Sequence, residues 1–143
     1  MRLQLFHLLM HSGKLLEDRV REGLKESGIH HGQGRILCAL ARRTELSQID
    51  IADGLGIQRA TVTNMLQRME KSGLIKRSGD KNDQRVRRVR LTAAGRRAEQ
   101  TVRGVWDDIE KDIRAALSPK MIAPASQCLL KIRGAFGGAD PKV

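Results

Sequence analysis

Leu46-Ser47-Gln48-Ile49-Asp50-Ile51-Ala52-Asp53-Gly54-Leu55-Gly56, continued by Ile57-Gln58-Arg59-Ala60-Thr61-Val62-Thr63-Asn64-Met65-Leu66-Gln67, decides how this chain folds. Ser47 can cap a short helix, with Asp50 at the third position answering it as in a capping box. Gly56 ends that helix, where the chain needs a residue that tolerates positive φ. Ala52 supplies the small side chain required where two helices touch, and Val62 a β-branched one on the facing helix. Ile51, Leu55, Ile57, Met65, Leu66 and Met69 fill the remaining inward positions. The second helix runs from Gln58 to Ser72 and is closed by Gly73. These demands describe two helices joined by one tight turn.

With the inward residues removed, the second helix presents Gln58, Arg59, Ala60, Thr61, Thr63, Asn64, Gln67, Arg68 and Lys71. That face lacks carboxylates; the one acid, Glu70, lies near the helix end. Arg can read guanine, Asn and Gln can read adenine, and Thr or Ala can touch a thymine methyl. Thr61 and the helix start suit phosphate. Next come Leu74–Ser78 as a strand, Gly79–Gln84 as a turn and Val86–Leu91 as a second strand. The tip and flanks of this hairpin hold Lys76, Arg77, Lys81, Arg85, Arg87, Arg88 and Arg90. An Arg at the tip can enter a minor groove. Val89 and Leu91 share the inward face of the second strand, Arg88 and Arg90 the outward one. Asp83, two residues before Arg85, is placed to fix its guanidinium. Helix, tight turn, helix and basic hairpin, in that order, make a winged helix-turn-helix.

Outside this unit the chain reads as helix. Residues 3–27 carry Leu5, Leu8, Leu9, Ser12, Leu15, Leu16, Val20 and Leu24 at steps of three and four, and Gly28 can close the helix. Gly32-Gln33-Gly34 is expected to break the chain before a helix over 34–43, with Ile36, Leu37, Ala39 and Leu40 buried. Thr92 caps a long helix over 93–117. Its stripe of Ala98, Val102, Val105, Ile109, Ile113 and Ala116, with Trp106 beside it, predicts a packed seam that could lie between subunits. Ser118-Pro119 starts a last helix faced by Met121, Ile122, Ala125, Leu129, Ile132 and Phe136. Residues 137–143 should fray. The expected fold class is mainly α with a small β-hairpin wing.

Charge separates the possible partners. The 143 residues hold 27 Lys and Arg against 16 Asp and Glu, a net charge of +11. Residues 58–97 alone carry twelve basic and three acidic side chains, so nine of the eleven excess charges fall within forty residues. Concentrated charge interleaved with periodic apolar residues suits a folded surface that meets a phosphate backbone. RNA readers usually stack bases on aromatics. Here there is no Tyr, two Phe and one Trp, and none lies in the basic block. No apolar run approaches the roughly 20 residues that cross a bilayer. The N-terminal run is too short and interrupted for a signal peptide, so the expected location is the cytoplasm and no membrane partner is expected.

No enzyme, cofactor or metal is expected either. Gly32-Gln33-Gly34 begins like a dinucleotide fingerprint but lacks the third glycine and a preceding strand. No P-loop, catalytic carboxylate pair or nucleophile elbow is present. His7 and His11 share a helix face and read as surface or interface residues rather than metal ligands, with His30 and His31 close by. Cys38 and Cys128 sit on apolar or mixed helix faces, where a buried inert thiol is the ordinary outcome. Arg42, one turn after Cys38, could activate it if exposed.

The runs Gln48–Gly56, Thr61-Val62-Thr63, Met69–Arg77, Asp80–Arg85 and Leu91-Thr92-Ala93-Ala94-Gly95 together resemble the MarR family of bacterial transcription regulators. The resemblance reaches nearly the whole chain. It implies a homodimeric regulator of double-stranded DNA, acting as a ligand-responsive repressor on a pseudo-palindromic operator. It also implies a dimerising helix within 1–31, a DNA-binding domain over 32–95, and dimerising helices over 96–136. On this likeness residues 58–71 are the recognition helix, Asp83 and Arg85 form a wing pair, and Asn82 stands where the family often has Arg. A small effector would sit between the dimer helices and the DNA-binding lobe. The alternatives are a redox- or metal-responsive regulator of the same fold and a non-specific basic architectural protein.

Overall fold

The computed structural model describes residues 4–83 and 86–138. Helices α1 (Leu5–Leu24) and α2 (His31–Arg42) lead into strand β1 (Leu46–Ser47). Then follow α3 (Gln48–Leu55), α4 (Arg59–Lys71), β2 (Ile75–Gly79), β3 (Arg87–Leu91), α5 (Ala93–Ala116) and α6 (Pro119–Ala135). A single 3-10 turn over Lys25–Ser27 closes α1, and Gly28 follows it at φ 66°. The fold is a winged helix-turn-helix whose core gathers α2, α3, α4 and the sheet around Ile36, Leu37, Leu40, Ile51, Val62, Leu66, Met69, Ile75 and Val89.

The caps form as the sequence predicts. Ser47 Oγ accepts from Asp50 N at 3.0 Å while Asp50 Oδ2 accepts from Ser47 N at 3.3 Å. Thr92 Oγ1 accepts from Gly95 N at 2.9 Å. Gly56 takes φ 63°, and Ile57 N donates back to Ala52 O at 3.0 Å, so the turn closes on itself.

Three elements differ from expectation. Gly32 and Gly34 lie inside α2 and break nothing. Gln33 Oε1 accepts from His30 N at 3.1 Å and nucleates the helix three residues early. The two glycines serve close packing: a Cβ on Gly34 would meet Val102 Cγ1 at 3.0 Å, and one on Gly32 would meet Met65 Cε at 2.9 Å. β1 was not expected. Its Leu46 pairs with Val89 and its Ser47 with Arg88, which makes the hairpin the larger part of a three-stranded antiparallel sheet of order β1-β3-β2. Two residues are too few to show a period of two, so the strand left no sequence signal.

The third difference concerns α5, about 36 Å long at 1.5 Å per residue. Its stripe packs inside the chain. Val102 and Ile109 are buried against α1 and α2, with Ala98, Val105, Trp106 and Ile113 packed beside them. A Cβ on Gly23 of α1 would meet Val105 Cγ1 at 2.6 Å, so the two helices touch backbone to side chain. The predicted seam is therefore within one protomer. The apolar faces left open are others. Only Val20 and Leu24 of α1 are buried, α6 buries no residue, and Leu5, Phe6, Leu15, Met121, Leu129, Leu130 and Phe136 are each more than half exposed.

Candidate nucleic-acid interface

The helix α4 buries Val62, Leu66 and Met69 and turns the opposite side to solvent. Gln58, Arg59, Ala60, Thr61, Asn64, Gln67, Arg68 and Lys71 are all exposed there. Thr63 is half-buried and already engaged. Its hydroxyl donates to Arg59 O at 2.9 Å and accepts from Gln48 Nε2, so it joins α3 to α4. Gln48 was not among the predicted residues; it is partnered across fifteen positions, which no helical spacing reveals. Gln58 gives the helix start no side-chain cap, which leaves first-turn N–H groups unpaired by it. Arg59 Nη2 stands 4.0 Å from Asp53 Oδ1, an exposed and weak pair.

In the wing the cations divide into two kinds. Lys76, Lys81 and Arg87 are exposed and make no ion pair among the described residues. Arg77 instead lies along Glu70, with Nε and Nη2 at 2.8 and 2.6 Å from Oε2. The hydrogen bond from Arg77, before any other influence, holds the Glu70 carboxyl below its ordinary range. This pair bolts β2 to the end of α4. Arg88 Nε donates to Asp80 Oδ2 at 2.6 Å. Asp80 also accepts from Asn82 N at 2.8 Å and Asp83 N at 3.3 Å, and those bonds, Asn82's first, lower its pKa. Arg90 meets Glu45 at 2.7 Å. Arg77 and Arg88, both predicted to touch DNA, thus each have a carboxylate partner within the domain. Arg85 lies outside the described residues, and with it the predicted Asp83–Arg85 pair.

Residues 29–86 match the family model of the MarR family. The match spans α2 to β2. Over 93 residues, 64% of this chain, it is 30% identical to the HTH-type transcriptional regulator PrsX of Escherichia coli. Over 86 residues, 60% of this chain, it is 30% identical to the transcriptional regulator HosA of Escherichia coli O127:H6. The matches span 56% of PrsX and 64% of HosA, less than two thirds of either relative. The S. aureus MepR–DNA complex superposes with a TM-score of 0.88 at 24% identity, over 94% of this chain and 99% of that one. Wild-type MarR from E. coli, in its apo form, gives 0.74 at 22% identity, over 92% and 98%. These likenesses show that the MarR-type fold extends beyond the matched domain into α5 and α6.

Behind the helix-turn-helix a cleft of about 210 Å³ opens between Arg35, Cys38, Arg42, Leu55, Trp106 and Arg133. Arg35 Nη2 donates to Leu55 O at 2.8 Å, tying α2 to the last carbonyls of α3. Cys38 is buried at the edge of this cleft. Burial first, then the nearby Glu99, pushes its thiol up to about 11. Cys128, expected to be buried, is exposed, on a helix α6 that buries no residue in the single chain. At pH 8 iodoacetamide should therefore alkylate Cys128 and leave Cys38 reduced, as peptide mass mapping would show; rapid alkylation of Cys38 in the folded protein would contradict its burial. Among the described residues no group of three or more His, Cys, Asp or Glu could hold a metal ion, and no helix is long and apolar enough to cross a membrane.

Proposed function

We propose that this protein is a dimeric transcriptional regulator that binds double-stranded DNA in a sequence-specific way and acts as a repressor on a pseudo-palindromic operator in the cytoplasm. The observation that carries this reading is the outward face of α4: Arg59, Asn64, Gln67 and Arg68 exposed together, beside the wing cations Lys76, Lys81 and Arg87, which make no ion pair among the described residues. Such a face offers base-reading side chains at its centre and phosphate-binding charge at its edge. The names of PrsX and HosA as transcriptional regulators, and the MepR–DNA complex of the same fold, support it. The open apolar sides of α1 and α6 support a homodimer, since patches of that kind mark association surfaces. Two copies would place their α4 helices in successive major grooves about 34 Å apart. The cleft beside Arg35, Arg42 and Trp106 supports a small-molecule effector, held where it touches both α5 and the end of α3.

Selection of duplexes from fragmented genomic DNA and from a random pool tests the proposal. A regulator should enrich one sequence over the rest, and Asn64→Ala or Gln67→Ala should weaken the selected sequence by about 1–3 kcal/mol while leaving random duplex binding unchanged. Equal affinity for all sequences would instead identify a non-specific architectural protein.

A further inference from the structure

On the DNA-facing side, a cleft of about 180 Å³ lies between β1 and the first turn of α3, the first turn of α4 and the residues entering β3. Ser47, Gln48 and Ile49 form one wall, Arg59 the second, Val86 and Arg87 the third. The start of α3 is already closed by Ser47 and Asp50, so the charge in the cleft is that of its two arginines. Arg59 and Arg87 arrive from different elements and line one space. Arg87 makes no ion pair among the described residues, unlike its neighbours Arg88 and Arg90. Ile49 is 47% exposed, an apolar side chain left open at the rim of a basic cleft. Gln48, in the same wall, is fixed by its bond to Thr63, so the wall is held at a set distance from α4.

We propose that this cleft seats one backbone phosphate of DNA together with its deoxyribose. The two guanidinium groups pair with the phosphodiester, and the sugar's C–H face packs on Ile49 and Val86. The cleft suits this ligand because a nucleotide link is anionic on one side and apolar on the other. The inference rests on the DNA-binding reading above and adds to it three things: a contact from α3, a position for Arg87, and a role for Ile49. It also explains why the joint between α3 and α4 is tied through Thr63. A rigid joint keeps the phosphate seat at constant distance from the base-reading residues Asn64 and Gln67. Register along the duplex then follows from the fold.

Charge changes at Ile49 test the proposal, because the residue is exposed and outside the core. Binding of the full chain to a mixed-sequence duplex is measured across a salt titration, with thermal unfolding as a check on the fold. Ile49→Asp should weaken binding about tenfold or more, by repelling the seated phosphate. Ile49→Lys should bind at least as tightly as the parent, with a steeper salt dependence. Arg87→Ala should flatten the logarithmic salt slope by about one. Thr101→Asp, on the exposed side of α5, is the comparison and should bind as the parent does. Equal loss in Ile49→Asp and Ile49→Lys, an unchanged slope in Arg87→Ala, or equal losses in Ile49→Asp and Thr101→Asp would overturn the seat while leaving DNA binding standing. Failure of the parent chain to bind any duplex would overturn both readings.

Discussion

Gly95→Ala is expected to cost the protein about 3 kcal/mol or more, the upper range for overpacking a position that cannot yield. Gly95 is the third residue of α5, where the helix start passes over the beginning of β2. A Cβ there would fall well inside van der Waals contact of the Leu74 carbonyl oxygen and 3.0 Å from its carbon. Backbone cannot rotate away as a side chain can. Leu74 O is moreover in use: it accepts from Thr92 N at 3.1 Å and Thr92 Oγ1 at 3.1 Å. Relief would require α5 to lift, which breaks those bonds and uncovers Leu91. For a chain of this size the loss should lower the melting temperature by roughly 10 °C. Alanine ordinarily favours a helix over glycine by up to about 1 kcal/mol, so a gain in stability would show that the close approach is not real. The same contact joins the long helix to the wing. DNA affinity should therefore fall further than the unfolded fraction alone explains, at a temperature where the variant is still folded.

Much of this architecture is legible in the sequence, and the reasons differ by residue. The helix-turn-helix announces itself because its demands are local: Ser47 and Asp50 three apart, Gly56 at the turn, Ala52 and Val62 at the contact. Thr92 and Ser118-Pro119 likewise mark their helices by position. The outward face of α4 follows by subtraction from a helical period. What escaped is long-range. Gly32 and Gly34 look like a break, since sequence does not show Met65 and Val102 pressing on them. β1 is recognisable only through its partner β3. Arg77 and Arg88 look like free cations until Glu70 and Asp80 are placed beside them, seven and eight residues away on other elements. A count of basic residues finds the basic block but overstates how many of its members are free of carboxylate partners. Ile49 carries no such signal: in a helix of eight residues one exposed isoleucine does not stand out from the inward ones.

The double variant Phe6→Glu, Leu129→Glu should sediment as a monomer, and its affinity for a duplex with two half-sites should fall by about 10²–10⁴. Both side chains are more than half exposed in the single chain, so neither substitution opens the core. In a homodimer formed through α1 and α6 they would be covered. Burying an aliphatic or aromatic side chain contributes about 1.5–3 kcal/mol, and a carboxylate in its place adds the cost of desolvating charge. Loss of the dimer follows from either half of that argument. Loss of DNA affinity follows from the linkage of two reading heads: once one α4 is seated, the second binds as though highly concentrated, and separated protomers lose that advantage. The monomer should keep its helical content by circular dichroism, because Val20 and Leu24, the buried part of α1, are untouched. It should also keep the weak affinity of one head for a single half-site. A variant that remains dimeric would place the association surface elsewhere than α1 and α6. A monomer that still holds the two-half-site duplex at full strength would separate dimerisation from DNA binding altogether, and would leave the exposed apolar sides of those helices to some other partner.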